Sequence, residues 1–247
     1  MPPFRGMIAK WRVPPSRALD ADVTLWSSPA GGAKGGGDWC DVVTLSDGYV
    51  ALTVGDVAGH GEPVAGTMAT IRDSVLRAIH KVHRPSEILS VANDVAINHC
   101  DGVLVTAVVA FLDQQLRTLT FANAGHPPPL LLTSDHHAFL EHPPADVPLG
   151  LFSHYRAADY VVTLPVDALL VLYTDGITEH ERDPLRGETE LAQAARRVYE
   201  RPGLDAAREI AQRIFRKQPG RDDAAAIVLR TTRREPDSTS SLASVGR

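Results

Sequence analysis

The chain has 247 residues, 44% hydrophobic and 22% charged, which is enough to bury a sizeable core and ordinary for a globular protein. A formal net charge of -5, with no Lys/Arg block beyond Arg233-Arg234, disfavours a nucleic-acid surface. The two cysteines, Cys40 and Cys100, lack CxxC spacing and a His at zinc-ligand separation, so neither a disulfide framework nor structural zinc is expected, and a reduced cytoplasm fits best. No run approaches the roughly 18 apolar residues of a spanning helix, so no membrane partner is expected.

Residues 1–20 carry Pro2, Pro3, Pro14 and Pro15 among basic residues and read as a flexible N-terminal arm. The folded domain is expected over 21–231. Within it, Ala21 to Ser27 reads as a strand, Pro29 to Gly37 as a Gly-rich turn, and Trp39–Leu45 with Tyr49–Val54 as a hairpin closed by Ser46-Asp47-Gly48. Apolar residues from Val64 to Ile79 recur at helical spacing, and a second helix is expected after Pro85. Val103–Leu112 and Leu116–Asn123 read as another hairpin, with a further strand at Leu130–Leu132. Strands at Tyr160–Leu164 and Ala168–Tyr173, helices at Leu191–Tyr199 and Leu204–Phe215, and a last strand at Ala225–Arg230 complete the domain. Residues 232–247, rich in Ser, Arg and Asp, read as a disordered tail. Hairpins combined with paired helices predict an α+β fold, packed sheets covered by helices rather than βαβ units.

Four blocks place Asp at the edge of an apolar, strand-like run: Gly36-Gly37-Asp38, Gly55-Asp56-Val57, Thr174-Asp175-Gly176 and Arg221-Asp222-Asp223. Taken singly, each Asp is a turn former. Gathered at one buried edge, four unpaired carboxylates would cost several kcal/mol, and a shared divalent cation is the natural compensation. Oxygen-only ligands select Mg²⁺ or Mn²⁺ over zinc.

Read in order, Gly36-Gly37-Asp38-Trp39-Cys40-Asp41, Gly55-Asp56-Val57-Ala58-Gly59-His60-Gly61, Asn123-Ala124-Gly125-His126-Pro127-Pro128, Tyr173-Thr174-Asp175-Gly176 and Gly220-Arg221-Asp222-Asp223 resemble the PP2C-type (PPM) metal-dependent serine/threonine phosphatases, in their bacterial SpoIIE/RsbU-like group. The resemblance implies an αββα sandwich of two antiparallel sheets flanked by helical pairs, with two Mn²⁺ or Mg²⁺ ions at one edge. It implies Asp38, Asp56, Asp175 and Asp222 as catalytic metal ligands, together with the backbone carbonyl of Val57. It also implies hydrolysis of a phosphoserine or phosphothreonine monoester by dimetal-activated water, on an anti-sigma-factor antagonist or similar phosphorylated regulatory protein, under control of a separate regulator or of homodimerisation.

Other residues carry plainer readings beside functional ones. His60 suits protonation of the leaving oxygen, against packing in a Gly-rich turn. For His126 and Asn123 a loop-shaping hydrogen bond is the stronger expectation, for Asp41 and Asp223 a carboxylate next to a ligand rather than a ligand itself, and for Glu179 a cap. Lys34 reads as a solvated loop lysine rather than a phosphate contact. The chain departs from the family pattern at Ala224-Ala225-Ala226, at Glu62 and at Cys40. The competing functions are a small-molecule phosphomonoesterase on the same centre and a non-catalytic metal-binding regulatory module.

Overall fold

The structure is a computed structural model that describes residues 7–13, 20–29, 36–59, 62–141, 147–179, 183–201, 205–216 and 222–233. The strands are β1 (Met7–Arg12), β2 (Asp20–Ser28), β3 (Asp38–Thr44), β4 (Tyr49–Val57), β5 (Val105–Asp113), β6 (Thr118–Ala124), β7 (Leu130–Leu132), β8 (His137–Phe139), β9 (Tyr160–Thr163), β10 (Leu169–Tyr173) and β11 (Ala224–Thr232). The helices are α1 (Glu62–Ile79), α2 (Pro85–His99), α3 (Pro184–Glu200) and α4 (Ala206–Ile214). The strands form a six-stranded sheet in the order β1-β2-β11-β10-β7-β8 and a five-stranded sheet in the order β3-β4-β5-β6-β9. Every pairing is antiparallel.

Period-2 alternation sorts the side chains into three apolar layers. On β4, Val50, Leu52 and Val54 face the opposing sheet, where they meet Leu170 and Leu172 of β10 and Ala225, Ile227 and Leu229 of β11. Ala51 and Val57 face outward under α1 and α2, while Val171 and Tyr173 of β10 lie under α3 and α4. The result is the expected αββα sandwich. Burial on both faces explains why β10 reads Leu-Leu-Val-Leu-Tyr without polar alternation.

Helix boundaries follow capping chemistry. Asp183 and Asp205 accept from the N–H groups of Arg186 and Arg208 and so start α3 and α4. The start of α2 has no local cap; Asp159, distant in sequence, accepts from both the N–H and the hydroxyl of Ser86. Among the described residues no helix is long and apolar enough to cross a membrane.

Three differences from the sequence reading have physical reasons. Part of the N-terminal arm is a strand: Met7–Arg12 pairs with β2 along its whole length, and Ala9 and Trp11 pack against the inter-sheet core. Helix α3 begins at Pro184 rather than Leu191, because Asp183 caps it and Pro184 suits its first position, while its first turn carries an exposed Leu185 and no apolar stripe to mark it in the sequence. The three-residue strand β8 likewise lacks an apolar pattern in the sequence, being exposed along His137 and Ala138. Pro2, Pro3, Pro14, Pro15, most of the Gly-rich turn, Leu204 and residues 234–247 lie outside the described residues, and so does the expected tail beyond Arg233.

Candidate metal centre and active site

Strand register brings the carboxylates together. Asp38 and Asp56 are direct cross-strand partners on β3 and β4, and Thr106 of β5 stands opposite Asp56. All three continue the face that carries Cys40, Val54 and Val108 into the inter-sheet core. They are therefore the polar end of an otherwise apolar row. From the other sheet, Thr174 extends the inward row of Leu170 and Leu172 just past the end of β10, and Asp223 precedes Ala225 at the start of β11.

Hydrogen bonds tie the two sheets at this edge. The Thr174 hydroxyl donates to Asp38 Oδ2 at 2.7 Å and accepts from the Ala225 N–H at 2.8 Å. The Gly37 N–H donates to Asp223 Oδ2 at 2.7 Å, while the Gly37 carbonyl accepts from the Val57 N–H at 3.1 Å. Glycine is needed here because a Cβ on residue 37 would lie 2.5 Å from the Val57 carbonyl oxygen and 2.9 Å from Asp56 Oδ1. Asp175 opens a single 3-10 turn, Asp175–Ile177, whose Gly176 backs onto the Asp223 carbonyl without room for a Cβ.

The electrostatics group these residues further. Burial, then Asp56, and also Asp223 and Asp175, raise the Asp38 carboxyl well above its ordinary range, against a lowering contribution from the Thr174 hydrogen bond. Burial, then Asp175, with Asp222 and Asp223, push Asp56 up to about 6, although its hydrogen bond with Asp38 pulls the other way. Asp175 is raised by burial, then by Glu179 and Asp222. Asp56 is thus the common member of one cluster, facing Asp175, Asp222 and Asp223 as charges and Asp38 as a hydrogen-bond partner. Carboxylates that raise one another are relieved by a cation, and an all-oxygen donor set suits a hard one. Among the described residues no three His, Cys, Asp or Glu side chains enclose an ion by themselves; Mg²⁺-type sites ordinarily keep several waters.

The remaining sequence candidates divide clearly. Asp41 faces the opposite side of β3 and forms a two-pronged ion pair with Arg72 of α1, both bonds 2.6 Å, so it fastens the helix rather than serving the cluster. Asp223, expected beside a ligand, is turned into the cluster by the Gly37 N–H, whereas the expected ligand Asp222 is exposed and accepts from the Asp223 N–H. Glu179 sits on the turn after Asp175, its N–H bonded to the Asp175 carbonyl at 2.7 Å. The Cys40 thiol is buried and pushed up to about 12 by burial, then by Asp41 and Asp38, which removes it as a thiolate nucleophile. His60 and Lys34 lie outside the described residues. Thr174 and Thr106 were not singled out from the sequence; their signal was parity, each falling one strand step beyond an inward apolar row.

This architecture is that of PP2C-type phosphatase domains. The PP2C phosphatase domain of SpoIIE from Bacillus subtilis, solved with a fragment of its regulatory domain, superposes with a TM-score of 0.76 at 15% identity, covering 89% of this chain and 66% of that one. The RsbU and RsbW domains of Rv1364c from Mycobacterium tuberculosis give 0.78 at 27% identity over 87% of this chain and 61% of that one. The family model described as Stage II sporulation protein E (SpoIIE) matches residues 46–232, and the chain belongs to that family. It is also similar to the phosphoserine phosphatase RsbU of Bacillus subtilis (strain 168), 26% identical over 169 residues. That match covers 68% of this chain and 49% of RsbU, so the chain spans about half the length of this relative.

Proposed function

We propose that this chain is a divalent-cation-dependent phosphatase that hydrolyses phosphoserine or phosphothreonine monoesters on a protein. The observation that carries the reading is the convergence of Asp38, Asp56 and Asp175 at one end of the inter-sheet core, with each carboxyl raised by burial and by its neighbours. Membership of the SpoIIE family and similarity to a phosphoserine phosphatase support it.

In this proposal Asp38, Asp56, Asp175 and Asp222, with the Val57 carbonyl, would hold two ions. Two Mg²⁺ or Mn²⁺ ions bound there supply charge for the phosphoryl oxygens and acidity for a water nucleophile. The chain's own groups prepare the place. Thr174 fixes the Asp38 carboxylate through its hydroxyl, and the Gly37 N–H fixes Asp223. The apolar floor of Val54, Val108 and Leu172 keeps bulk water from the inner side, which strengthens every charge interaction above it. His60 is proposed to protonate the leaving oxygen.

The proposed substrate is a phosphorylated regulatory protein such as an anti-sigma-factor antagonist, and a separate protein or a second copy of this chain is the proposed regulator. A comparison of kcat/KM on a phosphorylated antagonist domain and on a panel of phosphorylated metabolites, at equal Mn²⁺, tests the substrate class. We expect the phosphoprotein to be preferred by at least about tenfold, the scale of 1–2 kcal/mol of added transition-state contact. Equal or better rates on metabolites would assign a small-molecule phosphomonoesterase, and tight partner binding without turnover would assign a binding module.

A further inference from the structure

We infer that His126 is a positioning residue that locks the two sheets at the carboxylate edge and thereby sets the affinity of the site for its cations. The inference rests on the metal-dependent reading above.

The ring sits between the sheets. Its Nδ1 lies 2.8 Å from the hydroxyl of Thr106, the residue opposite Asp56 on β5, and its Nε2 lies 2.9 Å from the carbonyl oxygen of Tyr173, two residues before Asp175. One imidazole therefore touches the neighbours of a candidate ligand on each sheet. The carbonyl can only accept, so Nε2 carries the proton and donates to Tyr173, leaving Nδ1 to accept from Thr106 in the neutral ring. The side chain is 5% exposed, and burial lowers its pKa to about 4 despite the bond to Tyr173, so the ring stays neutral at working pH.

The backbone around Tyr173 explains why a side chain is required. Strand β7 pairs with β10 only from Leu169 to Val171, while the Thr174 N–H turns the other way, to the Ala225 carbonyl. Alternation along β10 then aims the Tyr173 carbonyl toward the side where β7 has already ended. His126, four residues before Leu130, supplies the donor that a longer strand would have given. A buried carbonyl left without one is destabilising, because it has given up its water without gaining a donor.

The histidine is itself held from behind. Asn123 accepts the His126 N–H at 2.7 Å and donates to the His126 carbonyl at 2.8 Å, closing the loop through Gly125, whose φ of +65° suits glycine. This two-way bracket fixes the ring's backbone, so its two ring bonds become constraints on Thr106 and Tyr173 rather than adjustable contacts. Expected as a loop-shaping residue, His126 is in addition a tie between sheets.

The test is Mn²⁺ binding to metal-free protein by isothermal calorimetry for wild type, His126→Leu, His126→Gln and Thr106→Val, with p-nitrophenyl phosphate hydrolysis at saturating Mn²⁺ alongside. His126→Leu should weaken Mn²⁺ binding at least tenfold and lower kcat while leaving KM within about twofold. His126→Gln, which restores a donor for the Tyr173 carbonyl, should recover most of the affinity, and Thr106→Val should show an intermediate loss without removing the ring. If His126→Leu or Thr106→Val melts earlier yet binds Mn²⁺ as wild type does, the residue only packs and the positioning role is wrong. Wild-type protein that binds no Mn²⁺ would instead overturn the metal reading on which the inference rests.

Discussion

Asp56→Asn should stabilise the metal-free protein at pH 7.5 and at the same time abolish its phosphatase activity. The folded-state pKa of Asp56 is raised from 3.8 to about 6. Between those values the folded chain binds a proton that the unfolded chain does not, so the stability that protonation confers is present below about pH 4 and is lost as the pH rises through 6. Above pH 6 the folded protein carries the cost of a charged carboxylate facing Asp175 and Asp222. The full shift corresponds to about 3 kcal/mol, and partial solvent access reduces this to about 1–2 kcal/mol. For a chain of this size that is a rise of about 3–6 °C in the Tm of metal-free Asp56→Asn at pH 7.5, shrinking toward pH 4. Thermal scans from pH 4.5 to 7.5 in EDTA check this. Added Mn²⁺ should raise the Tm of wild type most at the alkaline end and leave that of Asp56→Asn nearly unmoved. Hydrolysis of p-nitrophenyl phosphate should fall by about 10³-fold or more in Asp56→Asn, and comparably in Asp175→Asn, as for loss of a group that acts on the developing charge.

Gly176→Ala should be damaging in both respects. The added methyl would meet the backbone carbonyl of Asp223, and backbone cannot rotate away as a side chain can. The 3-10 turn carrying Asp175 and the segment carrying Asp222 and Asp223 must separate to admit it. Overpacking of this kind costs about 1–3 kcal/mol, and misplacing ligands by about 1 Å costs about 10²-fold in rate. Urea unfolding gives the first quantity and p-nitrophenyl phosphate turnover the second. An alanine variant with wild-type rate would show that the turn and β11 need not touch for function. Gly66, on the exposed side of α1 with open space around it, is the matched control.

How much of this was legible in the sequence depended on whether a residue's role followed from its own strand. Asp38 and Asp56 could be read because Asp38 opens one apolar run and Asp56 stands near the end of another, and strand alternation then aims both inward once register makes them partners. The same alternation explains Asp41: three residues after Asp38, it falls on the other face and meets Arg72. Roles that depend on distant chain were not legible. Nothing near His126 announces the Tyr173 carbonyl 47 residues away, and nothing near Asp223 announces the Gly37 N–H 186 residues away. Strand β1 was hidden because it is an edge strand, with Met7 and Ile8 exposed and only Ala9 and Trp11 turned toward the core. The hairpins and buried strands, whose patterns are local, appeared where expected within a few residues.

The most direct test of the central claim is release of phosphate from a phosphoserine peptide by the metal-free chain as Mn²⁺ is added, with Asp175→Asn in parallel. The account expects no turnover in EDTA, saturable activation by Mn²⁺ in wild type, and at least about 10³-fold less activity in Asp175→Asn. Turnover that persists in EDTA, or an Asp175→Asn variant as active as wild type, would contradict it.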